Sequence, residues 1–392
     1  MLIGIVGRPN AGKSTFFKAA TLVDVLIANY PFATIKPNRG MAYVRIDCID
    51  KEFGVQCMPR EGYCVRGQRF VPVELMDVAG LVPGASQGKG MGNQFLDDLR
   101  QADAFIHVVD FSGLTNSEGK PAKDHDPAID IRFLEEELDL WYVGILKKVW
   151  KTFARTAELQ KGNFAELVAK QFSGLKVNDE DVKQVLLSTN LDSGQPTKWS
   201  DEDVYRFARE LRRLTKPMII VANKMDTPQA HEHFERVKKE FDYKMIPCSA
   251  DAELSLRQAA KAGLIEYLPG DGNFTFLKGN EKQKEALEFI RKTVLQAYGS
   301  TGVQKVLNTT VFELLKYIAI FPAGVTKLAD SQGRVLPDCY LMPSGSTALD
   351  FAFRLHTDLG KNFIKAMNAR TKQAVGKDHP LQHRDAVEIF TR

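Results

Sequence analysis

The residues Gly7-Arg8-Pro9-Asn10-Ala11-Gly12-Lys13-Ser14 fit the spacing G-x-x-x-x-G-K-S. A glycine-rich turn of this kind aims successive backbone N–H groups at one point, and a helix starting just after it adds the positive end of its dipole. That combination grips an anion. Lys13 would neutralise the β- and γ-phosphates of a nucleotide, Asn10, Ala11, Gly12 and Thr15 would complete the grip, and Ser14 would offer its hydroxyl to Mg²⁺. Far along the chain, Asn223-Lys224-Met225-Asp226 supplies a second chemistry. The Asp226 carboxylate can accept from N1–H and the 2-amino group of guanine, neither of which adenine presents. A buried acceptor left unpaired rejects the wrong base. Asn223 can bond the base and brace neighbouring loops, while the Lys224 stem covers the face of the base. One strand later, Ser249, Ala250 and Asp251 can offer backbone N–H groups to guanine O6.

Two loops read as sensors of the third phosphate. Residues 29–38, with two prolines and two asparagines, suit an ordered loop rather than a helix. Such a loop would bring Thr34 over the γ-phosphate and Mg²⁺ only while the triphosphate is bound. Asp77-Val78-Ala79-Gly80 closes a strand; Asp77 can hold Mg²⁺ through water and the Gly80 N–H can meet the γ-phosphate. The glycine-rich run on to Gly92 has the backbone freedom of a second switch.

Groups of this kind must be carried on strand ends, and the apolar pattern provides the strands. Residues 1–6, 41–47, 70–78, 104–110, 217–222 and 245–248 are short apolar runs suited to buried strands. His107, inside one of them, reads as a core histidine. From 126 to 214 the period becomes helical: Leu134, Leu138, Trp141, Ile145 and Val149 form one apolar stripe, followed by shorter helices at 165–172, 179–187 and 201–214, the last capped by Ser200 or Asp201. Residues 281–298 and 303–317 are helical as well. The tail then changes to strands at 318–321, 340–342 and 386–390 around a helix, 346–356, capped by Ser346. The resulting expectation is a first segment of 1–125, a helical insertion of 126–214, a return to the sheet in 215–275, a helical connector of 276–316, and a compact final domain of 317–392.

Composition narrows the class. The chain has 392 residues, 44% apolar and 26% charged, as in ordinary water-soluble proteins. No apolar run nears the ~20 residues of a membrane span, and Met1 leads directly into a strand, so a cytoplasmic protein without a leader is expected. The formal charge of +4 is carried wholly by residues 305–392, which favours RNA or another acidic surface. Nothing points to DNA or membrane. Lys361, Lys365, Arg370 and Lys372 read first as a solvated face, with an RNA patch as the alternative. Cys48, Cys57 and Cys64 are close in sequence, so a metal site or a local disulfide is open to them. With no fourth ligand in view, reduced structural thiols are the expectation.

The order GRPNAGKST, PFATI, DVAGL, NKMD, SA resembles the five signature elements of translation-factor-class GTPases. Within that class, residues 29–32 and the loop 77–92 are similar to the Obg family, in its YchF-like archaeal branch. The stretch GSTALDFAFRLHTDLGKNF with the closing HRDAVEIF is similar to a TGS domain, a β-grasp module. The resemblance implies an α/β fold: a P-loop NTPase G domain with a mostly parallel sheet, an all-helical insertion and a C-terminal TGS domain. It also implies hydrolysis of GTP to GDP with Mg²⁺, K⁺ activation through Asn10, and ribosome or RNA contact through the TGS domain and helical insertion. The sequence departs from the family at Ala79 and Pro83. Core YchF proteins also replace the guanine-reading element and can prefer ATP, whereas Asp226 is the regular acidic reader. Leu81 stands where many GTPases carry a water-orienting glutamine, so intrinsic turnover should be slow. The alternatives are a nucleotide-gated RNA- or ribosome-binding module with negligible turnover, and an ATPase of the same fold.

Overall fold

The computed structural model describes residues 1–22, 38–78, 99–160 and 164–392. The two sensor loops, with Thr34, Gly80 and Leu81, lie outside the described residues. The chain divides into two compact units, one of Met1–Ala19 and Glu74–Val306, the other of Ala20–Val73 and Leu307–Arg392. The apolar runs become strands β1 (Leu2–Val6), β2 (Arg39–Asp47), β3 (Tyr63–Val65), β4 (Gln68–Asp77), β5 (Ala104–Asp110), β6 (Met218–Asn223) and β7 (Met245–Pro247). A short pair, β8 (Ile265–Glu266) and β9 (Thr275–Phe276), precedes β10 (Tyr317–Pro322), β11 (Tyr340–Pro343), β12 (Phe363–Asn368), β13 (Gln373–Val375) and β14 (Ala386–Thr391).

In the first unit β1 runs parallel to the end of β4 and to β5, β5 to β6, and β6 to β7. Every residue of β1, β5 and β6 is buried, which explains why these segments are continuously apolar rather than alternating. His107 is fully buried. Removal from water, helped by the Lys13 and Arg8 charges, pushes its pKa down to about 3 and keeps the ring neutral, as a core residue. Because these strands are parallel, their carboxyl ends share one edge of the sheet. β1 ends before the glycine turn, β4 at Asp77, β5 at Asp110, β6 at Asn223 and β7 just before Ser249. Ligands of open α/β sheets bind at this edge.

Between β5 and β6 the chain is helical: Pro127–Lys147, Trp150–Leu159, Phe164–Gln171, Asp179–Thr189 and Asp201–Thr215. The apolar stripe buries Leu134, Leu138 and Trp141 but does not extend as far as expected. The first helix stops at Lys147, leaving Val149 beyond it, and Leu146 rather than Ile145 fills the last core position. Asp126 caps this helix by accepting from the Ala128 N–H at 2.9 Å, and Ser200 caps the last one in a reciprocal box with Asp203. The buried Arg212 guanidinium reaches back to Asp139 at 2.7 Å and fastens the last helix to the first.

In the second unit β3 pairs antiparallel with the start of β4. The tail forms a mixed sheet in the order β11-β10-β14-β12-β13, with the helix Ala348–Leu355 burying Phe351 against Ile320, Ala366 and Val387. Three tail expectations change. The helical segment that starts at Val303 ends at Leu314, and Tyr317 opens β10 instead. The cap of Ala348–Leu355 is Thr347, whose Oγ1 accepts from Asp350 N–H; the Ser346 hydroxyl donates to Pro343 O. β12 and β13 pass through the basic cluster unread, because only Ala366 among their residues is fully buried and they carry no apolar alternation. Arg370 is also not a free surface cation: it bonds Glu52 at 2.8 Å.

Candidate nucleotide-binding site

The glycine turn after β1 is fixed by positions only certain residues tolerate. Gly12 has φ +99, and a Cβ there would lie 2.2 Å from Asn223 Nδ2. Asn10 adopts φ 62, a left-handed conformation that asparagine tolerates better than most residues, and its Nδ2 donates to Gly119 O at 2.8 Å. The helix Lys13–Thr21 begins inside the motif, earlier than the apolar pattern alone suggests. Its first residue, Lys13, is buried and donates from Nζ to Arg8 O at 2.8 Å. Burial lowers the Lys13 pKa, against a raising effect of the Asp77 charge. This ammonium is therefore short of negative charge until an anion arrives. Arg8 is itself held, with Nε 3.4 Å from Asp130 and its guanidinium over the Phe133 ring.

Ser14 and Asp77 come together although 63 positions apart: the Ser14 hydroxyl donates to Asp77 Oδ2 at 2.9 Å. A hydroxyl and a carboxylate side by side are hard oxygen donors of the type Mg²⁺ takes, with water completing its shell.

The other half of the site is built around Asn223. Its Nδ2 donates to Ala11 O at 2.9 Å, and its Oδ1 accepts from Ala250 N–H at 3.1 Å, so one side chain ties the glycine turn to the loop after β7. Asp226 Oδ1 accepts from the Ser249 hydroxyl at 2.7 Å, which orients the carboxylate. Lys224 sits at φ 63 and donates from Nζ to the buried Asp110 at 2.7 Å. Burial alone would raise the Asp110 pKa; hydrogen bonds from Lys224, Ser112 and Thr115 outweigh it and lower the value. Together Asn10, Gly12, Lys13, Ser14 and Thr15, then Asn223, Lys224, Asp226 and Thr227, then Ser249, Ala250 and Asp251 line one cleft of about 430 Å³. That volume lies within the range of small-molecule sites.

One reading from sequence needs revision, and one residue of the site was missed. The Ser249 and Ala250 amides are already donating, to Thr301 O and Asn223 Oδ1, so they are not idle donors for a base. Ser249 acts instead through its hydroxyl, on Asp226. Asp110 went unread altogether. The signal available was an acidic strand end followed two residues later by Ser112, whose N–H and hydroxyl both bond Asp110 Oδ1, but nothing local announces the partner Lys224.

A buried parallel sheet with a glycine-lysine anion turn after its first strand, and an acidic side chain in the same cleft after β6, defines a P-loop nucleotide-binding protein. Comparison with known proteins is consistent along the chain. Residues 2–140 match the 50S ribosome-binding GTPase family, 221–324 the G4 motif-containing domain of Obg-like YGR210-like GTPases, and 327–391 the TGS domain. A GTP-binding protein of Methanocaldococcus jannaschii is 48% identical over 395 residues, covering 100% of this chain and 99% of that one. The crystal structure of a GTP-binding protein from Pyrococcus horikoshii superposes with a TM-score of 0.81 at 44% identity, covering 100% of both chains. A ribosome-binding ATPase YchF of Mycoplasma genitalium is 30% identical over 375 residues, 92% of this chain and 86% of that one. The chain belongs to the YchF-like GTPase family, as the motif order led us to expect.

Proposed function

We propose that this chain binds GTP and Mg²⁺ in the cleft at the carboxyl edge of its parallel sheet, hydrolyses GTP slowly to GDP and phosphate, and acts as a nucleotide-dependent switch on the ribosome. The observation that carries the guanine reading is the Asp226 carboxylate, held in the cleft by Ser249. Its two oxygens provide acceptors where guanine has donors; adenine would leave them unpaired.

In this reading Lys13 and the turn amides hold the phosphates, and Ser14 and Asp77 hold Mg²⁺, joined by Thr34 when its loop closes. Bound there, Mg²⁺ offsets charge on the β- and γ-phosphate oxygens. Positioning and charge neutralisation are most of what phosphoryl transfer needs. Water activation is the weak point, because Leu81 has no group to orient the nucleophile. Asn10 supports an activating K⁺ in place of an arginine finger, which is worth ~10³–10⁵ in rate. Turnover should then be higher in K⁺ than in Na⁺ at equal ionic strength; equal rates would remove Asn10 from this role.

The name of the Mycoplasma relative supports ribosome association, and its ATPase designation supports the runner-up reading, an ATP-driven enzyme of the same fold. The basic tail and the TGS match make 317–392, with the insertion 126–214, the expected ribosome- or RNA-facing parts. Co-sedimentation with ribosomes in GDP and in non-hydrolysable GTP and ATP analogues, beside turnover with and without ribosomes, tests the reading. Binding that depends on the guanine triphosphate, with stimulated GTP turnover, is expected. Binding indifferent to nucleotide would contradict a switch.

A further inference from the structure

The segment after β2 makes a long excursion before β3, with a single 3₁₀ turn, Ile49–Lys51, as regular structure. With the start of β3 it nevertheless gathers three sulfurs and a carboxylate. One ligand atom each from Cys48, Asp50, Cys57 and Cys64 lie within 4.8 Å of one another, the first three residues buried and Cys64 half-buried. Cys48 and Cys57 Sγ are 3.5 Å apart, and Cys64 Sγ is 3.7 Å from Asp50 Oδ2. In a tetrahedral zinc site with Zn–S bonds of about 2.3 Å, neighbouring sulfurs stand about 3.8 Å apart. The Cys48–Cys57 and Cys64–Asp50 pairs have that spacing, and all four donors lie close enough for one ion to reach them. The fourth ligand that sequence spacing failed to supply is Asp50, two residues from Cys48 and invisible to any cysteine count.

We propose that Cys48, Asp50, Cys57 and Cys64 form a closed, structural zinc site. Three soft thiolates and one carboxylate suit Zn²⁺ better than Mg²⁺ or Ca²⁺, and four protein ligands leave no open position for chemistry. Two surrounding features fit a loaded site. Asp50 Oδ1 accepts from the Lys51 N–H at 2.8 Å, which fixes the carboxylate and leaves Oδ2 facing the sulfurs. Arg69, opposite Cys64 in the β3–β4 register, is buried; its terminal nitrogens bond the carbonyls of Leu336 and Pro337, and its charge also acts on Cys57. Its Nε has no hydrogen-bond partner among the described residues. Three thiolates and a carboxylate around a divalent ion carry net negative charge, which this buried guanidinium beside Cys57 would balance.

The site also has something to hold. Directly after Cys57 the chain runs against the tail: Met58 N–H donates to Val335 O at 2.8 Å and Arg60 N–H to Pro337 O at 2.9 Å. Zinc would pin the base of this contact, in a stretch with little regular structure to do so.

The test is metal analysis of the full chain purified without chelator from zinc-supplemented medium. About one zinc per chain is expected. Cys57→Ser and Cys64→Ser should each lose most of the metal, while Cys248→Ser, at a cysteine outside the cluster, keeps it. Should the variants not fold, the wild type still decides: a mercurial reagent should release zinc in step with about three thiols, and Co²⁺ substitution should give the intense thiolate-to-metal absorption of a tetrahedral site. A metal-free chain, zinc retained by both Cys57→Ser and Cys64→Ser, or a Cys48–Cys57 disulfide mapped after alkylation would each overturn the proposal.

Discussion

The nucleotide cleft and the cysteine cluster both remove charge from water, and they do so differently. In the cleft, Lys13 and Lys224 line an open cavity and are only partly answered, one by a carbonyl and one by Asp110. In the second unit Arg69 is sealed at 1% exposure, and the donors beside it close around a point rather than around a cavity. Incomplete compensation beside an opening is what an exchangeable polyanion requires, since binding then supplies the missing charge. Closure around four ligand atoms serves a constituent that never leaves. The same physics of desolvated charge thus separates a site for turnover from a site for stability.

The sharpest way to break this contrast is to remove the cleft's central charge. Lys13→Ala should weaken triphosphate binding by about 100-fold or more with little change in the folding midpoint, because the buried ammonium is not a favourable contributor without ligand. A fluorescent-nucleotide titration beside a thermal melt measures both. Next in size, Gly12→Val places a branched side chain at φ +99 against Asn223. It should abolish binding in the same titration while the rest of the sheet melts cooperatively.

Asp110→Asn sharpens the comparison from the opposite direction, since this carboxylate is compensated within the protein. It should cost about 1–3 kcal/mol of stability and free Lys224, with only a modest loss of nucleotide affinity. Because its folded pKa is depressed, Asp110 adds stability above the unfolded value of about 3.9. That contribution is lost as the pH falls through the lower folded value. Urea midpoints should therefore drop in acid for the wild type, and the drop should be shallower in Asp110→Asn. The smallest effect belongs to Glu52→Ala. It breaks exposed pairs with Arg370 and Arg384 and should cost less than about 1 kcal/mol in a denaturant titration at ordinary salt.

What the sequence disclosed follows the same division. The cleft was legible because each of its parts is a contiguous motif at the end of an apolar run, and parallel strands bring those ends to one edge without further information. Asp110 was not legible, since its role exists only through Lys224, 114 positions later. Helix limits failed where tertiary packing overrode periodicity, at Lys147 and at Leu314. The strands β12 and β13 bury only Ala366 fully and so have no alternation to read. Asp50 stayed hidden because an aspartate in a turn carries no sign of being a ligand until the thiols of Cys57 and Cys64 fold onto it.

The account stands most directly on the base-reading carboxylate, and one competition titration decides it: GTP, ATP and XTP against the wild type and Asp226→Asn. The wild type should prefer GTP over ATP. The variant should lose about 10–100-fold in GTP affinity and gain XTP, whose 2-carbonyl accepts from the new amide. A wild type that binds ATP as well as GTP, or a variant whose preference does not move, would contradict the assignment of this cleft to guanine.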